Sequence, residues 1–71
     1  MLIVNLDLIK KKRVELNYTQ SDMAEKLCLS SPEKYSRRER GEYNFKATEL
    51  PILARTLGVD VNDLFLYKTM R

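Results

Sequence analysis

A chain of 71 residues allows one domain with a thin hydrophobic core, and 44% apolar with 32% charged residues is a globular balance, not that of a disordered tail. A single cysteine, Cys28, and the absence of histidine exclude an internal disulfide, a Cys/His zinc site and nucleophilic catalysis with a histidine base. The net charge of +3 fits a nucleic-acid partner without demanding one.

The apolar opening Met1-Leu2-Ile3-Val4 is broken by Asn5 and Asp7. It is too short for a signal-peptide core or a membrane span, so a soluble cytoplasmic protein is expected. The segment reads either as a frayed end or as an edge strand in need of a partner. Glycine and proline are rare, and Leu, Glu, Lys and Arg are plentiful, which predicts an all-α chain. The first helix is expected over 6–16, with Leu6, Ile9, Arg13 and Leu16 on one face and Lys10, Lys11 and Lys12 on a solvated opposite face. Asn17, tolerant of left-handed backbone, ends it. The second helix, 20–27, starts from Thr19 as N-cap with Asp22 placed to complete a capping box, and buries Met23, Ala24 and Leu27.

Cys28-Leu29-Ser30 forms the following turn, where Cys28 is a small buried or turn residue without a pattern that supports redox sensing. Ser31 and Pro32 then open a third helix, 32–40, because proline at the first helical position lacks only an N–H that would be unpaired anyway. Gly41 stops it. A loop leads to a fourth helix, 48–57, with Thr48 as N-cap, Pro51 tolerated in the first turn, a stripe of Leu50, Leu53, Ala54 and Leu57, and Gly58 beyond its end. Asp60 caps a fifth helix, 61–66. Residues 1–71 thus read as one all-α domain of five helices, with no repeat, linker or low-complexity segment.

Two short helices joined by a tight turn, spanning Gln20 to Arg40, have the geometry that presents a second helix to a DNA major groove, which is about 12 Å wide. That helix carries Glu33, Lys34, Ser36, Arg37, Arg38 and Arg40. Arginine donates two hydrogen bonds to guanine O6 and N7, and both Lys and Arg neutralise phosphates. Glu33 is open between serving the helix dipole and reading a base, and Tyr43 between packing and a phosphate contact. Tyr35 is expected in the core.

The ordered set Thr19-Gln20, Ala24-Glu25-Lys26-Leu27, Glu39-Arg40-Gly41 and Leu57-Gly58-Val59 resembles the phage repressor and Cro type (XRE-like) of helix-turn-helix domain over about residues 6 to 66. The resemblance implies a lambda-repressor-like fold and a sequence-specific regulator of transcription that binds a palindromic duplex site as a homodimer, without a cofactor, a metal or a catalytic residue. It assigns base reading to Pro32, Glu33, Lys34 and Arg37, with Pro32 limited to an apolar contact. It assigns phosphate gripping to Gln20, Arg40, Tyr43, Asn44 and Lys46, and a buried structural salt bridge to Arg13 and Glu39; Ser36 and Arg38 are added as phosphate contacts from their residue types on the same helix.

Two features depart from the family pattern. The turn before the recognition helix is one residue longer, with Cys28 where glycine is usual. Arg38 stands where an apolar residue normally packs inward, and its stem is expected to run along the core with the charge turned to solvent or phosphate. The dimer surface is expected at Phe65, Leu66, Tyr67 and Met70, or at Leu2, Ile3 and Val4. The alternative reading is a protein-interaction module that kept the fold and lost DNA binding.

Overall fold

The computed structural model describes residues 1–68. Strand β1 (Leu2–Val4) leads into α1 (Leu6–Glu15), α2 (Gln20–Lys26), α3 (Pro32–Glu39) and α4 (Glu49–Leu57), then a 3₁₀ turn (Val61–Leu64) and strand β2 (Phe65–Tyr67). The expected fifth helix is therefore corrected. Asp60 does cap the segment, in a capping box with Asp63, but it makes a single 3₁₀ turn, and Phe65 is already extended at φ −120° and ψ 153°. The chain is mostly helical, not all-α. Phe65-Leu66-Tyr67 is rich in residues that favour a pleated, half-buried surface, and the N-terminal segment offers it a partner.

β1 and β2 pair antiparallel, with Leu2 opposite Tyr67, Ile3 opposite Leu66 and Val4 opposite Phe65. The ladder is extended by Lys68 N–H donating to the Met1 carbonyl at 2.7 Å and by Asn5 N–H donating to the Leu64 carbonyl at 2.7 Å. Asn5 also accepts from Leu8 N–H and starts α1. Residues 1–5 and 64–68 are thus tied together. Met70 lies outside the described residues.

Ile9, Met23, Tyr35, Leu53 and Leu64 are wholly buried, one from each helix and one from the 3₁₀ turn, and Ala24, Leu27, Phe45, Ala54 and Leu57 close the core around them. Leu16 was expected on the buried face of α1, but it is 46% exposed because it sits at the C-cap, past the last turn that packs. Leu50 is only half-buried.

The helix ends explain the spacing of the fold. α1, α2, α3 and α4 all finish in left-handed backbone: Asn17 (φ 62°), Cys28 (φ 58°) and Gly41 (φ 83°) just after the cap residues of α1 to α3, and Gly58 (φ 71°) at the cap of α4. At α2 the Leu29 N–H donates to the Ala24 carbonyl at 2.8 Å and the Cys28 N–H to the Glu25 carbonyl at 3.1 Å, the paired bonds of a Schellman motif. The same pair recurs at Asn17, Gly41 and Gly58.

Cys28 is the unfavourable member, since a side chain with a Cβ in this region costs about 1–2 kcal/mol. Cys28→Gly is accordingly expected to stabilise the domain by about 0.5–1 kcal/mol, the gain being reduced by the greater freedom of glycine in the unfolded chain. Urea denaturation checks it. A variant less stable than the wild type would show that the Cys28 side chain supplies something the turn needs.

Candidate nucleic-acid interface

α2 and α3 form a unit because each is capped locally and both bury one face on the same core. Thr19 accepts from Asp22 N–H at 3.0 Å and Asp22 accepts from Thr19 N–H at 2.8 Å, a reciprocal capping box that opens α2. The Thr19 N–H, together with the Thr19 hydroxyl beside it, holds the Asp22 carboxyl below the usual range. α3 opens at Ser31 with Pro32 at its first position. Between the two helices Leu29 packs on the core, which anchors the turn that Cys28 permits.

The burial pattern of α3 divides it cleanly. Tyr35, Arg38 and Glu39, spaced at i, i+3 and i+4, face inward, whereas Pro32, Glu33, Lys34, Arg37 and the cap residue Arg40 are exposed. Ser36 is half-buried. Arg37 lies 3.7 Å from Glu33 on the exposed face, an i,i+4 pair that solvent screens.

Glu39 is the hub that fixes the orientation of α3. Its carboxylate accepts from Arg13 Nε (2.8 Å) and Nη2 (3.1 Å) on α1, from Gln20 Nε2 (3.3 Å) on α2, and from the Tyr35 hydroxyl (2.7 Å) one turn earlier on α3. Arg13 Nη1 donates in addition to the Tyr18 carbonyl at 2.9 Å. Three helices therefore converge on one carboxylate that is 4% exposed. Burial alone would raise the Glu39 pKa. The hydrogen bonds from Arg13, Tyr35 and Gln20, with the Arg13 charge, outweigh it and hold the group below the usual carboxylate range. The same arrangement pushes the Tyr35 hydroxyl well above its ordinary value, burial being the main cause.

Arg38 does not reach toward phosphate, so that expectation is corrected. Its guanidinium is buried and forks onto Glu49 at the start of α4, Nε to Oε1 at 2.9 Å and Nη2 to Oε2 at 3.2 Å, while Nη1 donates to the Lys34 carbonyl at 3.0 Å. Snorkelling lost to pairing because Glu49, in the first turn of α4, is itself only 8% exposed at its side chain. Glu49 also explains the start of α4. The Thr48 side chain makes no capping bond. Instead Glu49 Oε1 accepts from the Lys46 N–H at 3.0 Å.

The loop after α3 is built just as tightly. Gly41 turns the chain, and the Glu42 and Tyr43 N–H groups both donate to the Arg37 carbonyl, at 2.9 and 3.2 Å. Phe45 plugs the core in a T-shaped contact with Tyr35, ring centroids 6.2 Å apart. This single buried residue leaves Tyr43, Asn44 and Lys46 exposed around it. Tyr43 keeps both roles open: its ring lies 5.9 Å from the Arg38 guanidinium and yet is 58% exposed.

On the other side of α3, Lys10, Arg13, Gln20, Ser36 and Arg40 line an open cleft of about 770 Å³ together with the acidic Asp7, Glu39 and Glu42. Lys10 was assigned to a solvated face. Its position three residues before Arg13, the buried anchor, is the signal that would have placed it on this side. Arg40 pairs with Glu42 at 2.9 Å, both side chains more than half exposed.

No helix of the described residues is long and apolar enough to cross a membrane. A family model described as helix-turn-helix matches residues 9–64, from the middle of α1 through the 3₁₀ turn. No curated protein matches the chain.

Proposed function

This chain belongs to the helix-turn-helix family of XRE, Cro and C1 type, a family of DNA-binding regulators, and from that premise we propose that it recognises one duplex sequence with α3 in the major groove and represses transcription by occupying its operator. The observation that carries this reading is the division of α3. The side chains that lock the helix to the protein, Tyr35, Arg38 and Glu39, are all on one face, and the opposite face holds Glu33, Lys34 and Arg37 free for base edges. Phosphate contacts fall to Gln20, Ser36 and Arg40, which line one cleft, and to Tyr43, Asn44 and Lys46 in the loop after α3. Lys10, which shares the cleft with Gln20 and Ser36, adds to the first group.

A single small module contacts few base pairs, so we take the operator to be two-fold symmetric, with half-sites about 34 Å apart and a homodimer bound across them. The exposed apolar side chains of the two-stranded sheet support that reading: Leu2 is 53% exposed, Leu66 37% and Tyr67 81%. The competing protein-interaction reading drew on Arg38 and on the long turn. Arg38 has an internal partner, which removes the first ground.

Selection from a randomised duplex library at two salt concentrations tests the proposal. Enrichment of a palindrome, with binding that falls steeply with salt, is the expected result. Enrichment of a single half-site would overturn the dimer, and salt-sensitive binding without enrichment would overturn the sequence-specific regulator.

A further inference from the structure

Arg38 and Glu49 form a buried ion pair in a domain that already has one. The first pair, Arg13 with Glu39, ties α1 and α2 to α3. The second does something different. Its members sit at the two ends of the loop that follows the recognition helix, Arg38 in the last turn of α3 and Glu49 in the first turn of α4. Every group it engages belongs to that loop or its supports. Arg38 holds the Lys34 carbonyl and the face of Tyr43, and Glu49 holds the Lys46 N–H. Among the described residues no buried side-chain nitrogen or oxygen is left without a partner, so the network is complete.

A complete network of this kind has one geometry. An apolar pair at the two positions would fill the same space but could not direct a loop N–H or an aromatic ring. The neighbouring backbone is turned by Gly41, at φ 83°, where an added Cβ would meet Leu6 Cδ1 at 3.1 Å. We infer that Arg38 and Glu49 are positioning residues that fix the loop 42–46 beside the exposed face of α3, so that Tyr43, Asn44 and Lys46 meet the DNA backbone while Arg37 meets the bases. This rests on the DNA-binding reading above. Pre-setting the loop removes the ordering cost from the binding step.

The double substitution Arg38→Met with Glu49→Leu tests the inference, because exchanging a buried ion pair for apolar residues of similar size commonly leaves stability unchanged or raised. Three quantities are measured on the whole chain: thermal midpoint, amide exchange of Lys46, and the salt dependence of binding to the selected duplex. The expected result is an unchanged or higher midpoint, Lys46 exchange faster by about tenfold, affinity lower by about tenfold, and a log–log salt slope shallower by about one phosphate contact. A folded double variant with wild-type exchange, or with wild-type slope and affinity, overturns the inference.

Arg38→Lys keeps a charge near Glu49 but cannot fork onto both oxygens. It is expected to shift exchange and slope in the same direction, and it serves if the double variant does not fold. A folded Arg38→Lys that retains wild-type exchange and slope likewise overturns the inference. If the wild-type chain itself binds no duplex, the DNA reading and this inference fall together; if it binds and the variants match it, only the positioning role falls.

Discussion

Replacing Glu39 with alanine is expected to remove about 3–5 kcal/mol of folding stability at neutral pH. The carboxylate is the shared acceptor of Arg13, Gln20 and Tyr35. Its removal strands the Arg13 guanidinium, whose side chain is 12% exposed, and the hydroxyl of the fully buried Tyr35. Breaking a buried pair by deleting one partner costs about 3–5 kcal/mol, because the remaining charge is left largely desolvated. A domain of this size has a total stability of roughly 4–11 kcal/mol, so the loss is of the same order as the whole.

Glu39→Gln keeps the shape and an acceptor oxygen but no charge, and is expected to fall between the wild type and Glu39→Ala. Urea denaturation followed by circular dichroism measures all three. An alanine variant within 1 kcal/mol of the wild type would show that solvent reaches Arg13 and Tyr35 after all.

The same carboxylate gives the domain an acid limit. Its pKa is lower in the folded chain than in the unfolded one, so the folded state binds fewer protons in that range. The stabilisation from Glu39 is therefore fully present above the ordinary glutamate value, about 4.3, and is lost as the pH falls through the lower folded value. Stability measured from pH 6 downward should decline below about pH 4 in the wild type. The Glu39→Gln variant should lack that component, and parallel profiles would overturn the assignment.

Arg37→Ala is expected to weaken binding to the selected operator by about 1–3 kcal/mol and to relax selection at one base pair per half-site, with folding stability changed by no more than about 0.5 kcal/mol. Arg37 is exposed on α3, and its contact with Glu33 at 3.7 Å is a solvated pair, cheap to open when a guanine edge is offered. The companion variant Lys46→Ala separates the two kinds of contact. A phosphate ligand weakens binding to all sequences alike and makes the salt slope shallower by about one. If Arg37→Ala also weakens all sequences alike, Arg37 grips the backbone and α3 lies in the groove at another angle. If it changes nothing, the exposed face of α3 is turned away from the duplex.

Sequence by itself determined what depends on near neighbours along the chain. The capping box at Thr19 and Asp22, proline at the first position of α3, and the left-handed residues after each helix are local, and each helix boundary from α1 to α4 fell within one residue of its expected place. The inward and outward faces of α3 follow from 3.6-residue periodicity, which is why Glu33, Lys34 and Arg37 were legible as the exposed candidates and Tyr35 as core.

Tertiary structure alone decided the rest, and the physical reason is the same in each instance: the stabilising partner is far away in sequence. Phe65 and Leu66 close the expected fifth helix when read alone, but with Tyr67 they become a strand because Leu2 to Val4 supply the hydrogen bonds. Phe45, in a segment otherwise polar, is buried because Tyr35 is there to meet it. An arginine on a basic helix looks like a phosphate ligand until a buried carboxylate stands eleven residues on, and Glu49, not the family pattern of the helix, turned Arg38 inward.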